Sequence, residues 1–106
     1  MTDNNVNKDS YLFYKHLFVS VRDNKVFYLG YKLPLTKTEY YVLKILINSQ
    51  NTPISADEIA SIISQNMKKE NAIYHISRIN CKAKNISERI LIKNFAKNGY
   101  FLNEEM

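Results

Sequence analysis

Residues 71–84, NAIYHISRINCKAK, decide how the chain is read. At about 100° per residue, with His75 as zero, Ala72, Ile76, Ile79 and Ala83 fall between about +40° and +100° and form one apolar stripe. Asn71, His75, Arg78 and Lys82 fall between about −60° and 0°, a polar ridge directly beside it, and Tyr74 lies farther round at about −100°. Polar ridges are common on surface helices. A helix that seats its apolar edge on a domain while the adjoining ridge projects outward nevertheless has the geometry of a recognition helix in a DNA major groove. Arg78 has the reach for guanine O6 and N7, Asn71 for adenine, and Lys82 the charge for phosphate, with His75 beside the base edges and Tyr74 placed for a sugar-phosphate contact.

The charge around this segment points the same way. Between Met67 and Lys97, eight basic residues stand against Glu70 and Glu88, whereas the rest of the chain holds seven basic and eight acidic groups. The formal charge of +5 therefore belongs to one third of the molecule, an asymmetry that suits a polyanionic partner. A length of 106 residues, 45% hydrophobic and 24% charged, allows one domain with one modest core. Cys81 is the single cysteine, which excludes an intrachain disulfide and fits a reducing compartment. No apolar run reaches membrane-spanning length and the N-terminus has no signal-peptide pattern, so no membrane association and a cytoplasmic location are expected. His75 and Cys81 are about 240° apart on a helix and make no metal pair. Without a glycine-rich phosphate loop or a nucleophile beside a base, the sequence suggests neither an enzyme nor a cofactor.

Working outward, residues 1–10 are polar and are expected to be a disordered tail before a domain at 11–106. YLFYKHLFVSV (11–21) and KVFYL (25–29) are rich in aromatic and β-branched residues, with Asp23-Asn24 and Gly30 as bends; they predict a small antiparallel sheet of three or four strands. Their aromatic rings are expected in the core rather than as base-stacking platforms. Thr36 and Glu39 form a capping-box pattern ahead of Tyr40, Leu43, Leu46 and Ile47, a helix from about 37 to 48. Ser55 and Glu58 repeat that pattern ahead of Ile59, Ile62 and Ile63. ERILIKNFAKNGYFLN (88–103) reads as two strands joined near Gly99, with Ile90 and Ile92 alternating against Leu91 and Lys93. Lys93 and Lys97 are placed to grip a DNA backbone beside the third helix.

In this order the segments LPLTKTEYYVLKILINSQNTPISADEIASII, AIYHISRINCKAK and ILIKNFAKNGYFL resemble the winged helix-turn-helix output domain of the OmpR/PhoB class of bacterial response regulators. The likeness runs from about Phe18 to Leu102. It is carried by Leu35, Thr36 and Glu39, by Ser55, by His75 to Ile79, and by Gly99-Tyr100. The resemblance implies an α+β fold with an N-terminal antiparallel sheet, three helices and a C-terminal β-hairpin wing. It also implies a third helix, about 70–84, in the major groove and a wing, about 90–102, on the backbone or minor groove. By the same resemblance His75, Ser77 and Arg78 face DNA, Lys82 matches a commonly basic position, and two copies sit in tandem on direct repeats. Three places depart from the family: Asn80 replaces a usual arginine, Ile73 replaces a frequent acid, and Ala96-Lys97 replaces Arg-Gly. The family's phosphorylatable receiver domain has no counterpart in these residues, so control is expected to come from outside them. Double-stranded DNA is the expected partner; the alternative is a co-regulator that docks on RNA polymerase or another transcription factor with little DNA affinity of its own.

Overall fold

In the computed structural model, which describes residues 11–49, 52–95 and 99–103, the aromatic N-terminal segment folds as a four-stranded antiparallel meander. Its strands are β1 (Tyr11–Tyr14), β2 (Leu17–Ser20), β3 (Lys25–Tyr28) and β4 (Tyr31–Leu33). The stretch 11–21 is split by a two-residue turn at Lys15-His16, where Lys15 adopts φ 55°. Asn24 turns β2 into β3 at φ 56°, as its short amide permits. Leu29 and Gly30, both at positive φ, close the β3–β4 hairpin in the manner of a type I′ turn. Alternation then sorts the side chains: Leu17, Val19, Val26, Tyr28 and Leu33 enter the core. Phe13, Phe18 and Phe27 lie on the other face, so the expectation that the sheet's aromatics are core residues fails for these three.

Helix α1 (Lys37–Ser49) begins where the capping box predicts. The Glu39 N–H donates to Thr36 Oγ1 at 3.1 Å and the Thr36 N–H to Glu39 Oε1 at 3.0 Å. Tyr40, Leu43, Leu46 and Ile47 are all buried. Helix α2 (Ala56–Ile63) has the second box, with the Glu58 N–H donating to Ser55 Oγ at 3.1 Å and the Ser55 N–H to Glu58 Oε1 at 3.3 Å. Its apolar stripe is narrower than expected. Ile59 and Ala60 are buried, but Ile62 is 60% exposed, because it lies about 110° round the helix from the middle of the arc that those two residues bury.

Helix α3 (Lys69–Lys84) packs against α1 and α2 through Ala72, Ile76, Ile79 and Ala83, the stripe read from the sequence. The chain ends in a hairpin of β5 (Ile92–Asn94) and β6 (Tyr100–Leu102). The simple alternation expected for 90–93 does not hold: Leu91 and Ile92 are both buried and Ile90 is exposed, since Leu91 enters the core just before the strand begins. Residue 54 adds a further rung to β6, exchanging backbone bonds with Tyr100 at 2.9 and 2.8 Å. No described helix is long and apolar enough to cross a membrane. The expected tail at 1–10 and Lys97 lie outside the described residues.

Candidate nucleic-acid interface

Helix α3 is held on both flanks, and the two clamps decide which side chains remain outward. On one flank, Asn80 lies beside the wing. Its Nδ2 donates to the Ile92 carbonyl at 3.0 Å and its Oδ1 accepts from the Ile92 N–H at 2.8 Å, the pair of bonds that a neighbouring strand would otherwise supply. Asn80 is thus a strut between helix and hairpin. Nothing in the local sequence pattern marks it; an amide at the edge of a helix whose neighbour is a short strand is the only hint. Asn80→Ala would leave both Ile92 groups unpaired in a buried setting, and we expect a loss of about 1–3 kcal/mol, read by urea denaturation. A change within about 0.5 kcal/mol would show that water replaces the amide without loss.

On the other flank stands Lys82, whose Nζ lies 2.6 Å from Glu39 Oε1. Glu39 therefore serves two elements, capping α1 through Thr36 and pairing with α3 through Lys82. Burial by itself pushes the Glu39 carboxyl up. The Lys82 hydrogen bond, the Thr36 N–H and the positive charges of Lys82 and His75 together outweigh it, and Glu39 sits below the ordinary carboxylate range. Lys82 is on the ridge, as the helix angles place it, but its ammonium is already engaged. His75 is half-buried beside it, with Nδ1 enclosed and without a hydrogen-bond partner among the described residues. The His75 ring also meets Tyr74 edge-on at 5.5 Å between centroids.

The outward surface lies between these clamps. Tyr74 is 60% exposed, and Ser77, Arg78 and Cys81 are also exposed. Cys81 lies at about −120° on the helix, directly opposite the apolar stripe. Asn71 is exposed at the first turn, where its Oδ1 accepts the Lys68 N–H at 3.3 Å. Compared with the ridge read from the sequence, the solvent-facing line is rotated away from His75 and Lys82 and centred on Tyr74, Arg78 and Cys81. Lys93 is half-buried on β5. Phe95 and Phe101 meet edge-on at 5.9 Å, and the Phe95 N–H donates to the Gly99 carbonyl at the turn of the wing.

Solved structures share this arrangement. The DNA-binding domain of the response regulator AdeR, in complex with an intercistronic region, superposes with a TM-score of 0.78 at 19% identity, over 87% of this chain and 98% of that one. The fold is a winged helix-turn-helix of the OmpR/PhoB type. The Klebsiella pneumoniae RstA DNA-binding domain, in complex with the RstA box, gives a TM-score of 0.70 at 18% identity over 87% of this chain and 95% of that one. The Thermotoga maritima OmpR/PhoB homologue DrrB gives 0.74 at 16% identity. Of that chain the winged helix covers 47%, against 92% of the present one. No family model and no curated protein sequence matches the chain. The winged-helix assignment therefore rests on shape, the sequence identities being only 16–19%.

Proposed function

We propose that the protein is a sequence-specific double-stranded DNA-binding transcriptional regulator, with α3 entering the major groove and the β5–β6 wing on the backbone or minor groove. The observation that carries this reading is the exposed line of Tyr74, Ser77, Arg78 and Cys81 on a helix fastened at both flanks. A rigid helix with a polar outer line reads base edges without first being ordered. The AdeR and RstA domains of the same fold are described in complex with DNA, which supports it. In this reading Arg78 and Asn71 lie nearest the bases with His75 at the edge of the contact. Tyr74, Ser77, Lys93 and Lys97 hold sugar and phosphate. Lys82 contributes through the positive field, since Glu39 occupies its ammonium.

Selection of bound duplexes from a random pool, repeated with Arg78→Ala, tests this. We expect a defined site with steep salt dependence, and a loss of about 1–3 kcal/mol for the variant on that site, concentrated at one base position. An equal loss on every sequence would make Arg78 a phosphate contact. Recovery of no preferred sequence would refute the reading.

A second reading, a co-regulator that docks on RNA polymerase or another transcription factor, is favoured by one feature. Tyr41, Lys44, Ile45, Asn48, Ile62 and Ile63 line an open groove of about 280 Å³ between α1 and α2, to which α3 contributes no lining residue. Retention on a purified polymerase, lost in Ile62→Asp and coupled with no retention on duplex DNA, would select it.

A further inference from the structure

The outer face of the N-terminal sheet carries a row that the core does not use. Strand register aligns Phe13, Phe18, Phe27 and Lys32, one residue from each strand in order. Leu17, Val19, Val26, Tyr28 and Leu33, which alternate with these residues along the strands, are buried, so alternation sends the row to the opposite side. Phe13 is 75% exposed. Phe13 and Phe18 rings are 4.8 Å apart, Phe18 and Phe27 6.0 Å, and Tyr11 stacks on Phe18 at 5.4 Å. The charged residues at outward strand positions are Lys25 and Lys32, and the one carboxylate near them is Asp23 of the β2–β3 turn, which accepts from Ser20 Oγ at 3.2 Å among the described residues. A continuous aromatic surface on a sheet is of the kind that marks an interaction face.

We propose that this face joins two copies of the chain, sheet against sheet, about a twofold axis that runs along the strands. The row itself selects both occupant and axis. It is aromatic at the β1 end and cationic at the β4 end, and a row of that kind is complementary to its own reverse. An axis across the strands would lay each strand over its own copy and set Lys32 against Lys32. An axis along the strands lays β1 over β4 of the second copy. Phe13 of each copy then meets Lys32 of the other as a cation–π pair, and Phe18 packs on Phe27. The contact is isologous and closes at two copies. An acidic partner would find a cation at only one end of the row.

Four strands at about 4.8 Å and four residues at about 3.3 Å give a face of roughly 20 by 13 Å. For two copies that is on the order of 500 Å², below the size of a standard specific interface, so the pairing is a weak one. With the sheets joined, the two α3 helices are related by a twofold axis. A duplex that engages both copies would then carry inverted half-sites, in contrast to the direct repeats implied by the resemblance. This last consequence rests on the DNA-binding reading; the pairing of sheets does not.

Sedimentation equilibrium on the full chain, without DNA, over a roughly hundredfold concentration range tests the proposal. We expect a monomer–dimer equilibrium that Phe13→Ser and Lys32→Glu each weaken at least about tenfold, with both variants still folding cooperatively in dilute solution because both side chains are exposed and Phe13 gives up only its cross-strand contact with Phe18. Tyr31→Ser should leave it intact: Tyr31 is exposed on β4 but lies on the other face of the sheet, opposite Tyr28. A monomer throughout the range overturns the proposal and leaves the face to a different partner. A dimer indifferent to Lys32→Glu overturns the strand-parallel axis and with it the proposal.

Discussion

Replacing Gly99 by alanine is expected to destabilise the fold by about 2–4 kcal/mol, through backbone strain and forced displacement together. Gly99 has φ +111°, which L side chains rarely adopt, and a Cβ there would lie 2.4 Å from the Ile54 carbonyl oxygen and 2.8 Å from the Ser55 nitrogen. Both obstacles are backbone, so no side chain can move aside. The displaced segment is the one through which Tyr100 exchanges two hydrogen bonds with Ile54, immediately before the Ser55 cap of α2. Either the wing or the entrance to α2 must give way. Gly30 provides the comparison: it also has positive φ, at +83°, but a Cβ there meets nothing within 4 Å. Gly30→Ala should therefore cost only the conformational penalty, about 1 kcal/mol. Urea denaturation of both variants at neutral pH separates the two contributions, and equal losses would mean that the close approach to Ile54 carries no weight.

Lys82→Met is expected to cost about 2–4 kcal/mol at pH 7, although the residue lies on a helix that we assign to DNA recognition. The Glu39 side chain is only 4% accessible and that of Lys82 18%, so removing the ammonium strands a buried carboxylate. The sign of the pH dependence follows from the direction of the Glu39 shift. Its folded-state pKa is depressed, so its contribution is complete above the unfolded value of about 4.3 and is lost as pH falls through the lower folded value. In the variant, burial dominates and lifts the carboxyl above that value, so protonation at mildly acidic pH relieves the stranded charge. The gap in stability between native chain and variant should accordingly narrow from pH 7 to pH 4. A gap independent of pH would remove Glu39 from the account. Were Lys82 instead a phosphate contact alone, the variant would melt like the native protein and lose about one unit of salt slope on DNA.

These two cases show where the sequence was legible. Capping boxes and apolar stripes are local signals, written three and four residues apart, so Thr36–Glu39, Ser55–Glu58 and the four buried residues of α3 lie where spacing places them. Glu39–Lys82 is separated by 43 positions and Asn80–Ile92 by 12; neither partner carries a mark of the other. The capping role of Glu39 even masked its second bond. The same limit applies to the sheet. Aromatic content predicted strands, but the face on which Phe13, Phe18 and Phe27 project follows from register, which the two-residue turn at Lys15-His16 sets. In the candidate site, the outward position of Arg78 and Tyr74 was visible from helix angles, whereas the engagement of Lys82 and the rotation of the exposed line toward Cys81 needed α1 and β5 in place.

The amide strut from Asn80 to β5 has a consequence for speed. In the proposed DNA-binding reading, hairpin and helix are tied before any duplex arrives, so the spacing between the two elements is preset like the gap of a fixed calliper, and little ordering of the hairpin strand at Ile92 remains to be completed on contact. Such a reader gives up the cation that a flexible arginine would lend at this position. It gains prompt rejection: a groove of the wrong width fails to fit at first encounter instead of being accommodated and released slowly.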